Sequence, residues 1–321
     1  MISMRMSEVA ETLKGKYTGK DVVFSGCSTD TRTIEKGNLF IALKGDRFDG
    51  HSFISYAREN GASAAMVEIE SENDNLPLLI TNDTTRAMGL LASYWRNEFD
   101  IPVLAITGSN GKTTVKEMVA SILGINATVL STPGNMNNHI GVPLTLFKLD
   151  NKHEYAVIEM GANHPGEIGL LSKLAKPSIA LITQCAPAHL EGFGSVDGIA
   201  RAKAEIFSGL SDNGIAVINA DDNFADFWKK TASNYQQISF GLESEADITA
   251  NDVTFDTKTG YTNFNIHFPE KSISTSIQFS GIHNVLNSIA AAACCVAAGI
   301  PIDDIKKGLE CISPVMVRMQ L

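Results

Sequence analysis

At 321 residues, 44% of them hydrophobic and 19% charged, the chain has room for two domains and the composition of a core-forming globular protein. A net charge of −10 argues against a nucleic-acid backbone or an anionic membrane surface as partner, so bound phosphates must be met by locally concentrated positive charge or Mg²⁺. Five cysteines without a C-x-x-C pair, no apolar core at the N-terminus and no apolar run long enough for a bilayer argue against disulfides, zinc, a secretory leader or membrane insertion, and point to the cytoplasm.

Residues 1–84 read as a small α/β unit. The pattern predicts a helix over 4–13, strands near 21–24 and 39–43, a helix over 52–60, and strands at 64–68 and 78–81. These lengths are too short and irregular for a doubly wound core. Within the unit, Cys27-Ser28-Thr29-Asp30-Thr31-Arg32 puts dense hydroxyl, acidic and basic side chains on a loop after a strand. These side chains suit hydrogen bonds to a nucleotide base and diphosphate, and the Asp and Thr among them equally suit the capping of turns. A helix over 84–97 links to a second unit, residues 85–313, with Phe99-Asp100-Ile101-Pro102 marking the boundary.

From Val103 onward the alternation becomes regular. Strands are predicted at 103–107, 128–131, 155–160, 179–183, 215–219 and 237–240, with helices at 113–123, 138–147, 166–174, 196–210 and 224–231 between them. Short apolar strands alternating with helices mean a parallel sheet covered on both faces, and ligands in such sheets sit beyond the carboxyl ends of the strands. After Gly241 the period changes to strict alternation at 247–255, 261–268 and 272–279, which predicts antiparallel strands extending the sheet. Helices at 284–298 and 303–311 follow, then residues 314–321 as a strand or linker. The fold class is therefore α/β: a small N-terminal domain, then a P-loop-type, mostly parallel sheet with added antiparallel strands.

The strand ends carry the chemistry. The first central strand runs into Thr107-Gly108-Ser109-Asn110-Gly111-Lys112-Thr113-Thr114, a tight Gly-rich turn opening a helix. Such a turn aims several backbone N–H groups at one spot at the positive end of a helix dipole, where Lys112 adds a charge and Thr113 a hydroxyl for Mg²⁺. The G-x-x-G-K-T spacing is shorter than the usual G-x-x-x-x-G-K-[ST]. Glu159, ending the third strand, stands where one carboxylate can hold Mg²⁺ beside Thr113, or pair with a nearby base. His189, in the Pro/Gly-rich loop after the fourth strand, suits either a metal ligand or a cap. Lys203, among small residues on an apolar helix, reads as a surface lysine that snorkels. His283 and Asn284 open a helix, where Asn284 suits the cap and the pair suits an adenine edge.

Together T-G-S-N-G-K-T-T, E-M-G-A-N-H-P-G-E-I, A-H-L-E-G-F-G-S, R-A-K-A-E-I-F and G-I-H-N-V-L-N resemble the Mur ligases, the ATP-dependent amide-forming enzymes of peptidoglycan precursor synthesis. The likeness runs from the D-T-R stretch near residue 30 to the end. E-M-G-A-N-H-P-G-E-I and S-T-P-G-N-M-N-N-H-I-G-V-P-L-T-L look most like the branch that adds D-alanyl-D-alanine to UDP-N-acetylmuramoyl-tripeptide.

The resemblance implies that Gly108 to Thr114 hold the ATP phosphates, that Thr113 and Glu159 bind one Mg²⁺, and that His189 reaches a second. Lys203 matches the lysine carbamylated in this family, which replaces the snorkelling reading with an anionic carbamate that helps position Mg²⁺. By the same resemblance His283 and Asn284 face adenine, Asn137 and Asn138 lie near the substrate diphosphate, and Thr31 and Arg32 lie near the uridine. The family has a third, Rossmann-like domain. The expectation is a fragment lacking it, with 314–321 as the linker and Arg318 at the position of a family arginine near the nucleotide phosphates. Such a fragment is expected to bind UDP-muramoyl peptide, and ATP weakly, without completing ligation. The alternatives are an amide ligase adding a diamino acid or a glutamate to folate, a plain P-loop NTPase or kinase, and a non-catalytic module that captures UDP-muramoyl peptide.

Overall fold

The structure is a computed structural model that describes residues 1–45, 48–70, 75–187 and 190–312. It divides into two compact units, one of residues 1–100 with 143–151, the other of residues 101–142 with those from 152 on.

The first unit carries β1 (Ser3–Arg5), α1 (Met6–Leu13), β2 (Lys16–Thr18), β3 (Val23–Ser25), β4 (Cys27–Ser28), β5 (Leu39–Ile41), β6 (Lys44–Gly45), β7 (Phe48–Asp49), α2 (Ile54–Glu59), β8 (Ala64–Val67), β9 (Leu78–Ile80) and α3 (Thr84–Asn97). Its main sheet runs β2-β9-β8-β5-β4, parallel except for β2 at one edge. The short strands thus do build a sheet of their own, with β5 and β8 buried on both faces. Met4 and Arg5 are strand rather than the start of the first helix, because Met4 alternates inward opposite Phe24 on β3.

The division between units falls after Asp100, at the predicted 99–102 boundary, so the 84–97 helix belongs with the first unit and not with a domain starting at residue 85. The reason is that α3 is anchored in the first unit at both ends. Thr84 Oγ1 donates to Ala42 O at 2.8 Å, its N–H to Glu68 Oε1 at 3.2 Å, and Trp95 Nε1 to Leu149 O at 3.1 Å. Residues 143–151 belong to the same unit and receive the Ile2 N–H at Phe147 O, 2.7 Å.

The second unit follows the predicted alternation: β10 (Val103–Thr107), α4 (Lys112–Leu123), β11 (Val129–Ser131), α5 (Gly141–Leu146, where the chain passes between units), β12 (Tyr155–Glu159), α6 (Glu167–Ala175), β13 (Ile179–Ile182), α7 (Leu190–Phe193), α8 (Val196–Ala204), β14 (Ile215–Asn219), α9 (Ala225–Thr231), β15 (Gln236–Gly241), β16 (Ile248–Asp256), β17 (Tyr261–His267), β18 (Ser272–Ile277), α10 (Ile282–Ala297) and α11 (Ile302–Cys311). Among the described residues these strands form one sheet in the order β11-β12-β10-β13-β14-β15-β16-β17-β18, parallel through β16 and antiparallel beyond it. β10 and β13 are buried along their whole length, as continuous apolar runs require at the centre of a doubly covered sheet. The Ala/Cys-rich run at 289–300 is largely the buried face of α10, whose small side chains admit close packing on the sheet.

Two helices are shorter than predicted. The 138–147 helix starts at Gly141, because Asn138 Oδ1 accepts from Ile140 N and Gly141 N and turns the chain first. The 196–210 helix ends at Ala204 and tightens into a 3₁₀ turn over Glu205–Gly209. The register aligns Ile106 with Glu159, Thr107 with Ile182, and Ile182 with Ile218. The carboxyl ends of β10, β12, β13 and β14 therefore stand side by side. The predicted terminal strand or linker at 314–321 lies outside the described residues.

Candidate active site

The turn after β10 has the backbone that its glycines allow. Gly108 has φ +151° and Gly111 φ +81°, and a Cβ on Gly108 would overlap Thr183 Oγ1. Both positions therefore need glycine, for conformation and for space. α4 then begins at Lys112, directing its first N–H groups toward the turn. The Lys112 ammonium folds over the turn and donates to Gly108 O at 2.8 Å and Ser109 O at 3.2 Å. Burial holds its pKa below the ordinary lysine value, against an opposing pull from Glu159.

Glu159 at the end of β12 is 1% exposed and fully engaged. Its Oε2 accepts from Thr113 Oγ1 at 2.9 Å and its Oε1 from Asn137 Nδ2 at 2.7 Å, while its N–H donates to Thr132 Oγ1 at 2.9 Å. The structure thus brings Thr113, Glu159 and Asn137 into one cluster. A hydroxyl beside a carboxylate is an all-oxygen donor pair, which suits Mg²⁺ completed by phosphate and water. Among the described residues no three His, Cys, Asp or Glu side chains form a metal cage.

Lys203 corrects the residue-level reading. On α8, whose N-terminus Ser195 caps through Gly198 N at 3.0 Å, it is 4% exposed and does not snorkel. It reaches the same cavity of about 390 Å³ that Gly108, Ser109 and Lys112 line. Burial, and then the positive charge of Lys112, push its pKa down to about 8. Among the described residues its Nζ makes no hydrogen bond or ion pair. A lysine so placed gives up its proton more readily than a surface lysine does, so a larger fraction of neutral amine is present near neutral pH.

Asn137 and Asn138 line this cavity too, together with Asn163 and Glu167 from the N-H-P-G-E stretch. Glu167 Oε2 accepts from Asn163 N at 2.7 Å and so fixes that corner of the wall. Asn110, Gly111, Thr113 and Thr114 are not among the residues that line the cavity. His283 and Asn284 also lie outside it. Asn284 is not the helix cap: α10 starts at Ile282, and Asn284 Nδ2 instead donates to Ser280 O at 2.9 Å. Asn287, one turn on, donates to Asn284 Oδ1 at 3.2 Å and abuts Gly111, so the start of α10 is tied to the turn. His189 and Arg318 lie outside the described residues.

The first unit holds a separate pocket of about 750 Å³, lined by Thr31, Arg32, Phe40, Phe48, Phe53 and Tyr56 among others. Phe48 and Phe53 stack at 5.1 Å between centroids, with Tyr56 at 6.2 Å from Phe53. The turn-capping role weighed for the loop is realised in the geometry. Asp30 caps the 3₁₀ turn through Arg32 N at 2.9 Å, and Thr31 and Arg32 face the pocket. The Arg32 guanidinium also grips Asp30, at 2.9 Å from Nε to Oδ1 and 2.6 Å from Nη2 to Oδ2, and this holds the Asp30 pKa at about 2.

Sequence reasoning missed Thr132, Lys116, Asn219 and Asp222. Lys116 is fully buried and donates to Thr132 O at 2.7 Å, fixing the turn that also presents the Thr132 hydroxyl to Glu159. The sequence signal was a charged residue on the apolar face of α4, and N-A-D-D directly after a strand.

Residues 106–295 match the Mur ligase middle domain, and residues 23–94 match the Mur ligase family catalytic domain. The chain is 43% identical over 320 residues to the UDP-N-acetylmuramoyl-tripeptide--D-alanyl-D-alanine ligase of Escherichia coli (strain K12), covering 99% of this chain and 70% of that one. The crystal structure of MurF from Acinetobacter baumannii superposes with a TM-score of 0.93 at 38% identity, over 98% of this chain and 69% of that one. The MurF ligase of Thermotoga maritima, solved in complex with ADP, gives 0.79 at 29% identity, over 90% of this chain and 66% of that one.

Proposed function

The chain belongs to the Mur ligase family, and on that premise we propose that it serves peptidoglycan precursor synthesis in the cytoplasm. There it joins D-alanyl-D-alanine to UDP-N-acetylmuramoyl-tripeptide at the expense of ATP. The observation that carries this reading is the single cavity onto which the phosphate loop, Lys112 and Lys203 open, beside Glu159 and Thr113. The 43% identity to a named ligase across 99% of the chain supports the choice of substrates, and the ADP-bound relative supports ATP. Five unpaired cysteines accord with a reducing compartment.

The tripeptide carboxylate attacks the γ-phosphorus of ATP. The bond to the β-phosphate oxygen breaks, and ADP leaves behind an acyl phosphate. The amine of D-alanyl-D-alanine then attacks the acyl carbon, the bond to phosphate breaks, and the nitrogen loses a proton as the amide forms. The first step brings two anions together, so the residues that matter are those that neutralise charge and fix the line of approach. The amides of Gly108 to Lys112 cradle the phosphates, and Lys112 turns its ammonium from the loop carbonyls to them. Asn137 and Asn138 orient the muramoyl substrate from the cavity wall, and His283 with Asn284 face the adenine. In the first unit, the stacked Phe48 and Phe53 receive the uracil ring, with Thr31 and Arg32 at its edge. Thr113 and Glu159 would hold Mg²⁺, which supplies charge neutralisation at the phosphates, and His189 would reach a second ion. The buried, readily neutral amine of Lys203 fits carbamylation, which supplies a carboxylate in place of a cation.

The test is incubation with ATP, Mg²⁺ and UDP-tripeptide together with D-alanyl-D-alanine, a diamino acid or glutamate. Pentapeptide product and ADP are expected with D-alanyl-D-alanine alone. Product with another amine, or ADP release independent of the tripeptide, would overturn the assignment. Tight UDP-tripeptide binding without turnover favours a capture module instead.

A further inference from the structure

The outer wall of the phosphate loop leans on a strap, residues 183–186, that leaves the end of β13. Thr183 Oγ1 donates to Asn110 O at 2.6 Å, and Ser109 N donates to Gln184 O at 2.8 Å. Ser109 Oγ accepts from Ala186 N at 3.0 Å and donates to Ala186 O at 2.9 Å. The strap is in turn held from its far side. Asn219 Nδ2, at the end of β14, donates to Thr183 O at 2.9 Å, and Asp222 Oδ2 accepts from Cys185 N at 2.6 Å. Both side chains are themselves pinned, since Asn219 Oδ1 accepts from Asp221 N at 3.0 Å and Asp222 Oδ1 from Phe224 N at 2.9 Å. Asn219 is 3% exposed. A loop without a ladder of its own must place its buried N–H and C=O groups on such partners, and a carboxylate acceptor is the stronger kind.

We propose that Asn219 and Asp222 are positioning residues for the phosphate loop, fixing Ser109 and Asn110 through the 183–186 strap. The inference rests on the ATP reading of that loop. Neither side chain lines the cavity, so both act through the strap and not on substrate. Their neighbour Asp221 does different work, accepting from Leu242, Glu243 and Ser244 N–H groups at 2.6, 3.1 and 2.7 Å to close the turn after β15.

That neighbour supplies the control. Asp222→Ala and Asn219→Asp are compared with Asp221→Ala in melting temperature, in amide hydrogen exchange at Ser109 and Ala186, and in affinity for a fluorescent ATP analogue with Mg²⁺. Asn219→Asp keeps the acceptor for Asp221 N while facing an oxygen to the Thr183 carbonyl, so it carries the test alone if Asp222→Ala does not fold. Exchange at both amides is expected to quicken, and nucleotide affinity to fall on the order of tenfold, in the two strap variants only. Equal changes in Asp221→Ala at a matched loss of melting temperature would overturn the proposal, as would unchanged exchange at Ser109 in the strap variants. If the unmodified protein fails to bind the analogue while exchange still separates the variants, the ATP reading falls and the brace stands.

Discussion

The two units hold pockets of opposite character. In the second unit the site is fixed by buried charge and by backbone: Lys112, Lys203 and Glu159 gather at the carboxyl ends of the strands, with Lys112 and Glu159 held by short hydrogen bonds and Lys203 by burial alone. In the first unit the pocket is a platform of stacked aromatic rings rimmed by a solvent-exposed Asp30–Arg32 pair. The difference teaches where each site keeps its strength. Charges taken out of water interact strongly and tolerate little displacement, whereas exposed ion pairs contribute little and rings bind through area.

Four substitutions break or sharpen this contrast. Lys112→Ala removes the loop's ammonium and should cost on the order of 10²–10³ in ligation rate, read as ADP release, while UDP-substrate affinity measured by calorimetry stays within about twofold. A parallel loss of UDP-substrate affinity would mean that the two pockets do not act separately.

Lys203→Met tests the cost of the buried amine. Because the folded pKa of about 8 lies below the ordinary 10.5, the unfolded chain holds the proton more tightly. Lys203 therefore destabilises the fold fully below pH 8, and the cost is relieved as the pH rises from about 8 toward 10.5. In bicarbonate-free buffer at pH 7 the methionine variant should be more stable by on the order of 2–3 kcal/mol, a gain that fades across that window in pH-dependent denaturant melts. A gain independent of pH would show that packing, not charge, sets the difference.

Phe53→Ala removes the ring that stacks on Phe48 and should weaken UDP-substrate binding roughly tenfold by calorimetry, leaving ATP affinity unchanged. The smallest effect belongs to Asp30→Asn. The pair is exposed, so the melting temperature at pH 7 should move by about 1 °C or less. In the unmodified protein the contribution of Asp30 is present above its ordinary pKa of 3.8 and fades as the pH falls toward about 2. A large shift at neutral pH would show that the pair is a structural element of the pocket.

The same contrast governs what could be read from the chain. The tight turn over Gly108, Gly111, Lys112 and Thr113 was legible because it is built from consecutive residues at fixed spacing. The parallel sheet and its antiparallel extension were legible because hydrophobic period reports burial directly. Glu159 followed from the rule that ligands gather at strand ends. The aromatic platform was silent, since Phe48, Phe53 and Tyr56 come from different elements and resemble ordinary core residues until folded. Lys203 was misread at the level of the residue because helix composition does not reveal what packs over a side chain. Met4 and Arg5 were misread because pairing with β3, a long-range contact, overrode a helical pattern.

The sequence alone determined the strand–helix alternation of the second unit, the Gly-rich turn after β10 and the family, because each depends on residues close together or on motifs read as strings. Tertiary structure alone decided that Lys203 is buried beside Lys112, that α3 belongs with the first unit, and that Asn219 and Asp222 stand behind the phosphate loop. Desolvation, register and hydrogen-bond reach are set by what the fold brings within a few ångströms, and no local spacing encodes that.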